Sequence, residues 1–289
     1  MRPSPYGVVA FRHDGRRLAM SAPNGELTLW DTTDPAYPQR AGRLRAGRGI
    51  TAAEWNPAVP DLLATASADG TSAVWRVPPG GVPEQVAGWA ALPERARHVG
   101  WVAGGSLVYS MTEHGRVTVW DVAGGYVTSR AEMSDRRPVV AAHYRAGEIV
   151  AVTDSGWARL WHPRRRPGEW VRLTDRPVGA CTWSSTWLVV AGVDGQATCF
   201  DAEFQPVRTL RVARARPWAV ACSDDGRLVA SFGDNRVIAV DHDGAVGWET
   251  ALHGPAARSV GIAGDLVALS GGQPRPVLLA LLSGSGVAM

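Results

Sequence analysis

Short apolar runs separated by tight-turn residues make up most of the chain, and the first such unit spans residues 8 to 31. Its apolar runs are Val8 to Phe11, Leu18 to Ser21 and Leu27 to Trp30, with turns at Asp14-Gly15 and Asn24-Gly25. Asp-Gly and Asn-Gly favour tight hairpins because they accept positive φ angles. The pattern predicts three antiparallel strands, which cannot bury both faces of a sheet without neighbouring copies.

The unit recurs six more times at a spacing of roughly forty residues, which is typical of the blades of a β-propeller. The second hairpin turn falls at Asn24-Gly25, Asp69-Gly70, His114-Gly115, Ser155-Gly156, Asp194-Gly195, Asp234-Asn235 and Gly271-Gly272. The third strand is predicted to end at Trp30-Asp31, Trp75-Arg76, Trp120-Asp121, Trp161-His162, Phe200-Asp201, Val240-Asp241 and Leu281-Leu282.

These repeats resemble the WD40 family in the segments VAFRHDGRRLAMSAPNGELTLWD, DLLATASADGTSAVWR, VYSMTEHGRVTVWD and VACSDDGRLVAS. The resemblance is specific in the first three repeats, and the third-strand Trp is lost in repeats five to seven. It implies an all-β fold in which residues 1–289 form a single seven-bladed propeller domain with about four antiparallel strands per blade. In this family the Trp belongs to a hydrogen-bonded set with a Ser or Thr, a His and an Asp. No repeat here carries the full set, so we expect packing to hold the blades together.

The innermost strand of each blade is predicted to begin at Val8, Ile50, Val99, Val139, Val178, Trp218 and Val260. Each is followed by an anchor expected to pack between blades, at Phe11, Trp55, Trp101, Tyr144, Trp183, Cys222 and Ile262. Outer strands are predicted at Gly42 to Ala46, Gln85 to Ala90, Tyr126 to Ala131, Trp170 to Leu173, Val207 to Val212 and Gly247 to Ala251. The last blade is either incomplete or completed by a short terminal tail. We favour the tail, because a ring should not leave an edge unpaired.

Composition points to a cytoplasmic protein, which we expect to be a monomer. No apolar run approaches the roughly 18 to 20 residues that a membrane helix needs, and no basic-then-apolar leader opens the chain. The three cysteines, Cys181, Cys199 and Cys222, all fall on predicted strands, which indicates reduced thiols. All 30 basic residues are Arg, which together with abundant Ala and Gly is typical of a high-GC, actinobacterium-like bacterial genome.

One constellation of charge stands out, because an arginine lies two residues before six of the seven predicted first strands. These are Arg48, Arg97, Arg137, Arg176, Arg216 and Arg258, and further arginines nearby are Arg43, Arg45, Arg95, Arg136 and Arg214. In a propeller all of these loops surround one mouth of the central channel. Guanidinium groups there suit a carboxylate or phosphate, and a concave mouth of one charge speeds capture. Alternatively, each arginine pairs with an acid of a nearby hairpin (Asp69, Asp154, Asp194 or Asp234).

Catalytic signals are weak, since no HExxH, CxxC, GxSxG or phosphate-binding loop occurs. If the chain is an enzyme, its candidate acid–base residues are His98, His114 and His143. We expect no metal site and no cofactor.

The leading interpretation, by resemblance, is a non-catalytic interaction scaffold that binds an acidic peptide, a protein or another anionic partner. The alternative is a propeller enzyme or binder acting on a small anionic molecule. The net charge is only +3, so nucleic acid is a weaker third hypothesis. A deep pocket with a histidine in reach would favour the small molecule, and a broad face with exposed Trp would favour the scaffold.

Overall fold

The computed structural model describes residues 7–21, 26–47, 49–89, 94–133, 137–184, 186–213, 215–252, 257–270 and 277–280. In this part of the chain 27 strands form seven antiparallel sheets, and the one helical element is a 3-10 turn at Ala103–Gly105. No helix among these residues is long and apolar enough to cross a membrane. The predicted seven-bladed, all-β propeller is therefore confirmed.

The first four blades contain four strands each, connected in the order of the chain. Blade 1 has β1 (Val9–Phe11), β2 (Arg17–Ser21), β3 (Leu27–Asp31) and β4 (Gln39–Leu44), and blade 2 has β5 (Ile50–Trp55), β6 (Leu62–Ser67), β7 (Ser72–Arg76) and β8 (Glu84–Trp89). Blade 3 has β9 (Ala96–Val102), β10 (Leu107–Thr112), β11 (Arg116–Asp121) and β12 (Val127–Glu132), and blade 4 has β13 (Val139–Arg145), β14 (Glu148–Thr153), β15 (Trp157–Trp161) and β16 (Trp170–Arg172).

The remaining blades repeat this order, except that the described part of the last one has three strands. Blade 5 has β17 (Val178–Trp183), β18 (Leu188–Gly192), β19 (Gln196–Phe200) and β20 (Pro206–Arg211), and blade 6 has β21 (Pro217–Cys222), β22 (Leu228–Phe232), β23 (Arg236–Val240) and β24 (Val246–Ala251). Blade 7 has β25 (Ser259–Ala263), β26 (Leu266–Ser270) and β27 (Val277–Ala280). All six predicted outer strands are thus present, while the terminal tail proposed to complete blade 7 lies outside the described residues.

The five predicted hairpin turns within the described residues have the positive φ that their sequences predict, at Gly70, Gly115, Gly156, Gly195 and Asn235. The turns predicted at Asn24-Gly25 and Gly271-Gly272, and the third-strand end predicted at Leu281-Leu282, lie outside the described residues. Gly195 has φ +78°, and a Cβ there would lie 2.3 Å from the carbonyl oxygen of Ala213, so glycine is required on both counts. Asn235, at the equivalent turn of blade 6, also adopts a positive φ of 69°.

The seven first strands form the inner wall of a closed ring, since each contacts the first strands on either side, β25 and β1 included. Between blades 7 and 1, the hydroxyl groups of Ser21 and Ser270 lie 3.2 Å apart and are buried. Leu18 and Met20 of β2 belong to one buried cluster with Leu278 of β27. Apolar packing and the hydrogen bond between Ser21 and Ser270 therefore join blade 7 to blade 1.

Indole groups on the first strands connect some blades directly. Trp55 donates its Nε1–H to the carbonyl of Ala10 at 3.0 Å, and Trp101 donates to the carbonyl of Glu54 at 2.9 Å. Two of the predicted anchors therefore lie between blades, as expected.

The third-strand Trp residues have fewer hydrogen-bonded partners than the set of Ser or Thr, His and Asp that the resemblance to the WD40 family implies. Trp75 donates to Thr65 Oγ1 at 3.0 Å, and Trp120 donates to Ser110 Oγ at 3.2 Å. The His98 ring lies 3.3 Å from the carbonyl of Val139 instead.

Candidate functional site

A cavity of about 730 Å³ opens at one mouth of the central channel and is lined by residues of all seven blades. Small side chains and glycines line it in blades 1, 2 and 5, where Val9, Ala52 and Gly179 are examples. Its polar and aromatic lining comes from Arg97 and His98 on β9, His143 on β13, Thr182 and Trp183 on β17, and Arg216, Trp218 and Arg258 on blades 6 and 7.

Three of the six predicted arginines line this cavity, namely Arg97, Arg216 and Arg258. Arg216 and Arg258 directly precede β21 and β25, and Arg97 is the second residue of β9. Within the described part of the chain, no carboxylate side chain lines this cavity. The mouth is therefore positively charged.

The other predicted arginines lie elsewhere or fall outside the described residues. Arg137 and Arg176 are exposed, each precedes a proline, and neither lines the cavity. Arg176 forms an ion pair with Asp194 of the neighbouring hairpin, so the pairing alternative applies in blade 5. Arg48 lies outside the described residues.

Of the five further arginines noted near the predicted first strands, the three that lie within the described residues do not line the mouth. Arg43 and Arg45 lie 3.9 and 2.7 Å from the carboxylate of Glu26, and Arg95 does not line the cavity. Arg136 and Arg214 are not among the described residues.

Five β-bulges explain how the mouth is built, one in each of blades 2 to 6. Where each first strand begins, the pairing with its neighbour skips one residue. The skipped residues are Thr51, Arg97, Val140, Gly179 and Trp218, and every one of them lines the cavity. A bulge redirects a residue without ending the strand, so these five positions form a ring at the mouth, with side chains at all of them except Gly179. Sequence alternation gave no sign of them.

Trp218 is the exposed aromatic residue of this ring. Its relative exposure is 41%, and the guanidinium carbon of Arg258 lies 4.8 Å from its ring centroid. A Cβ on Gly233 would lie 3.0 Å from the indole, so the ring packs closely against this glycine. The signal available in the sequence was an aromatic residue where other first strands begin with Val or Ile.

The interior of the cavity disfavours charge. Burial lowers the pKa of His98 to about 4, and burial together with the nearby Arg145 charge lowers the pKa of His143 to about 4. Burial also raises the pKa of the Cys181 thiol far above its usual range. Both imidazoles and the thiol are therefore neutral at pH 7, and both histidines are weak bases.

His143 and Trp183 form a stacked pair, with ring centroids 5.4 Å apart and planes 26° apart. Trp183 packs between blades 4 and 5, as expected, because it contacts His143 and a buried cluster that includes residues of both blades. The half-buried ring also lines the channel. Both rings also line a second cavity of about 720 Å³ at the opposite end of the channel. The pair therefore lies where the two cavities meet.

The opposite mouth of the channel is lined by carboxylates as well as arginines. Asp224, Asp225 and Asp265 line it together with Arg12 and Arg227. Arg227 lies 2.7 Å from Asp225 and 3.3 Å from Asp265, and hydrogen bonds from Arg227 and Ser223 lower the pKa of Asp225 to about 2. The arginines at this end therefore form ion pairs with nearby acids.

The structure brings two of the three candidate histidines together. His98 and His143 line the same cavity, whereas His114 lies 3.6 Å from Glu94 and lines neither cavity. No group of His, Cys, Asp or Glu among the described residues has the arrangement to hold a metal ion. All three cysteines are free thiols.

Comparison with known proteins adds no identity, because neither a protein-family model nor a curated protein sequence matches this chain.

Proposed function

We propose that this chain is a non-catalytic binding propeller, related to the WD40 proteins, that holds an acidic peptide or protein segment at its arginine-lined channel mouth. The observation that carries the proposal is a cavity shared by seven blades, whose lining brings Arg97, Arg216 and Arg258 together at one mouth of the channel. A bound carboxylate would provide bidentate acceptors for these guanidinium groups.

Trp218 supports a protein partner. An exposed Trp beside arginines is the composition typical of binding hot spots, the few residues that contribute most of the affinity of an interface. Trp218 stacks with Arg258, and Arg216 lies two residues before it. The aromatic ring and the two charges thus form one patch on blades 6 and 7. We further propose that the protein is monomeric and cytoplasmic, and that it comes from a high-GC bacterium.

A second candidate is a binder of a small anionic molecule, which the depth of the cavity and its two histidines favour. Acid–base catalysis by these histidines is less favoured, because a base with a pKa near 4 is poorly matched to reactions at pH 7.

Charge reversal at Arg216 and Arg258 tests the proposal. In the Arg216→Glu/Arg258→Glu variant, affinity for fluorescein-labelled hexaglutamate should fall more than about tenfold, because attraction becomes repulsion. Fluorescence anisotropy measures the affinity, and circular dichroism checks the fold. Affinity of the unmodified protein should fall as salt rises and stay constant between pH 6 and 8, because only arginines supply the charge.

The matched control is Arg164→Glu/Arg166→Glu, which makes the same charge change in an exposed loop after β15. This variant should keep its affinity within about twofold. Equal losses in both variants would show unspecific charge attraction and overturn the proposal. If inorganic phosphate competes with hexaglutamate at micromolar concentration, the small-molecule candidate replaces the peptide.

A further inference from the structure

The mouth and the interior of the channel differ in chemistry, and together they define a ligand of two parts. We propose that the bound segment inserts a neutral aromatic side chain into the channel, against His143 and Trp183, while its acidic residues stay with the arginines at the mouth. This inference rests on the proposed function and specifies the partner that the site selects.

The geometry provides a place for a ring. Trp183 and His143 present a stacked aromatic pair to the cavity. Small side chains also line this cavity, such as Ala142 beside His143 on β13 and Ala53 on β5 of blade 2. A volume of about 730 Å³ lies in the range of cavities that enclose a ligand rather than a lone ion. Aromatic rings prefer offset or edge-to-face contact with other rings, which a half-buried stacked pair at the cavity wall allows.

The distribution of charge keeps the acidic groups outside. The three arginines lie at the start of first strands, at the rim. The interior offers His98 and His143, which burial keeps neutral and which cannot balance a negative charge at pH 7. A carboxylate moved inward would lose both its water and its arginine partners, whereas the transfer of a neutral ring out of water is favourable.

The depth of the channel sets the spacing between the two parts. Trp183 is five residues beyond Val178 along β17, or about 16 Å at the rise of an extended strand. Arginine side chains cover part of this distance. If the aromatic residue of the bound segment enters the channel first, about two to four residues must separate it from the acidic residues. This spacer spans about 7 to 13 Å.

Two peptides test the inference on the unmodified protein. One is acetyl-Phe-Ser-Ser-Glu-Glu-Glu-amide, and the other has alanine in place of the phenylalanine. By isothermal titration calorimetry the first should bind at least about tenfold more tightly, which is the scale of a well-placed aromatic contact. A third peptide, with phenylalanine directly beside the glutamates, should lose most of this advantage.

Trp183→Leu locates the contact. This variant should bind the phenylalanine peptide and the alanine peptide with equal affinity. Trp170→Leu should still prefer the phenylalanine peptide, because Trp170 lies on the outer strand β16 against Arg159. Should Trp183→Leu fail to fold, Ala142→Trp fills the same cavity from the neighbouring strand and should abolish the preference equally.

The outcomes separate this inference from the proposed function. Equal binding of the phenylalanine and alanine peptides to the unmodified protein overturns the inference, but leaves the proposed function standing if Arg216→Glu/Arg258→Glu still loses hexaglutamate. A preference that persists in both Trp183→Leu and Ala142→Trp also overturns it. If the unmodified protein does not bind hexaglutamate, both the inference and the proposed function are overturned.

Discussion

Three buried titratable side chains, Glu54, His98 and His143, have pKa values displaced by their surroundings. Burial raises the pKa of Glu54 to about 7, although the backbone N–H of Trp101 opposes this shift. The pKa values of His98 and His143 fall to about 4 for the same reason. All three groups are thus neutral at mildly acidic pH in the folded protein, and they couple stability to pH in opposite directions.

Stability should rise with pH from about 4.5 to 6.5. In this window the unfolded chain protonates both histidines and the folded chain does not, while Glu54 is protonated only in the folded chain. The unfolded state thus binds one more proton net, and the slope is about 1.4 kcal/mol per pH unit. Above 6.5 only Glu54 contributes, and stability falls as pH approaches 7. Urea denaturation across this range measures the curve.

Glu54→Gln separates the two effects. Removing the carboxyl should roughly double the slope between pH 4.5 and 6.5 and abolish the decline above 6.5, because only the histidines remain. An unchanged curve in this variant would show that Glu54 titrates normally.

Tyr109 carries a buried hydroxyl group. Its hydroxyl is buried and has no hydrogen-bond partner among the described residues, and burial and the Glu54 charge raise its pKa. Tyr109→Phe should therefore leave stability unchanged or increase it by about 1 kcal/mol, as measured by thermal unfolding. A loss above about 1 kcal/mol would mean that the hydroxyl has a partner such as bound water.

At the scale of the strand, sequence pattern predicted position better than orientation. The repeat spacing located all the inner strands to within three residues, and Trp55 and Trp101 pack between blades as expected. Trp183, in the equivalent place, packs against His143 of blade 4, and part of its ring also lines the channel. The bulges, such as that between Val178 and Ala180, have no marker in the sequence, although the residues that they skip line the mouth.

The arginines two residues before predicted first strands were only partly informative, because Arg97, Arg216 and Arg258 line the cavity and Arg137 and Arg176 do not. A position counted from a predicted strand start cannot distinguish Arg97, which is itself a bulge residue, from Arg176, which pairs with Asp194. Side-chain direction depends on the local pairing, which forms only in the folded sheet.

Val140→Arg should create a fourth mouth arginine. Val140 is the bulge residue of β13 and lines the cavity, so the change should tighten hexaglutamate binding about two- to fivefold at low salt. Val207→Arg on the outer strand β20, where Val207 is 49% exposed, adds the same charge and should have little effect. A weaker or equal affinity in Val140→Arg would show that bulge side chains do not reach the ligand.

For the whole molecule, the decisive junction is the one between blades 7 and 1. Most neighbouring blades are also connected by the chain itself, but these two meet through side chains, including the buried Ser21 and Ser270 hydroxyl groups. The single variants Ser21→Ala and Ser270→Ala should each lower the free energy of unfolding by about 1 kcal/mol. In a double-mutant cycle the two losses should be non-additive, and full additivity would show that the hydroxyls do not interact.

The bulges also bear on how such a ring can diversify. A residue skipped by the pairing takes no part in the hydrogen-bonded ladder, so its replacement leaves the sheet intact. Thr51, Arg97, Val140, Gly179 and Trp218 already differ in size and polarity. Substitution at one of these sites can retune ligand choice while the scaffold beneath it persists, so this architecture permits recognition to evolve one blade at a time.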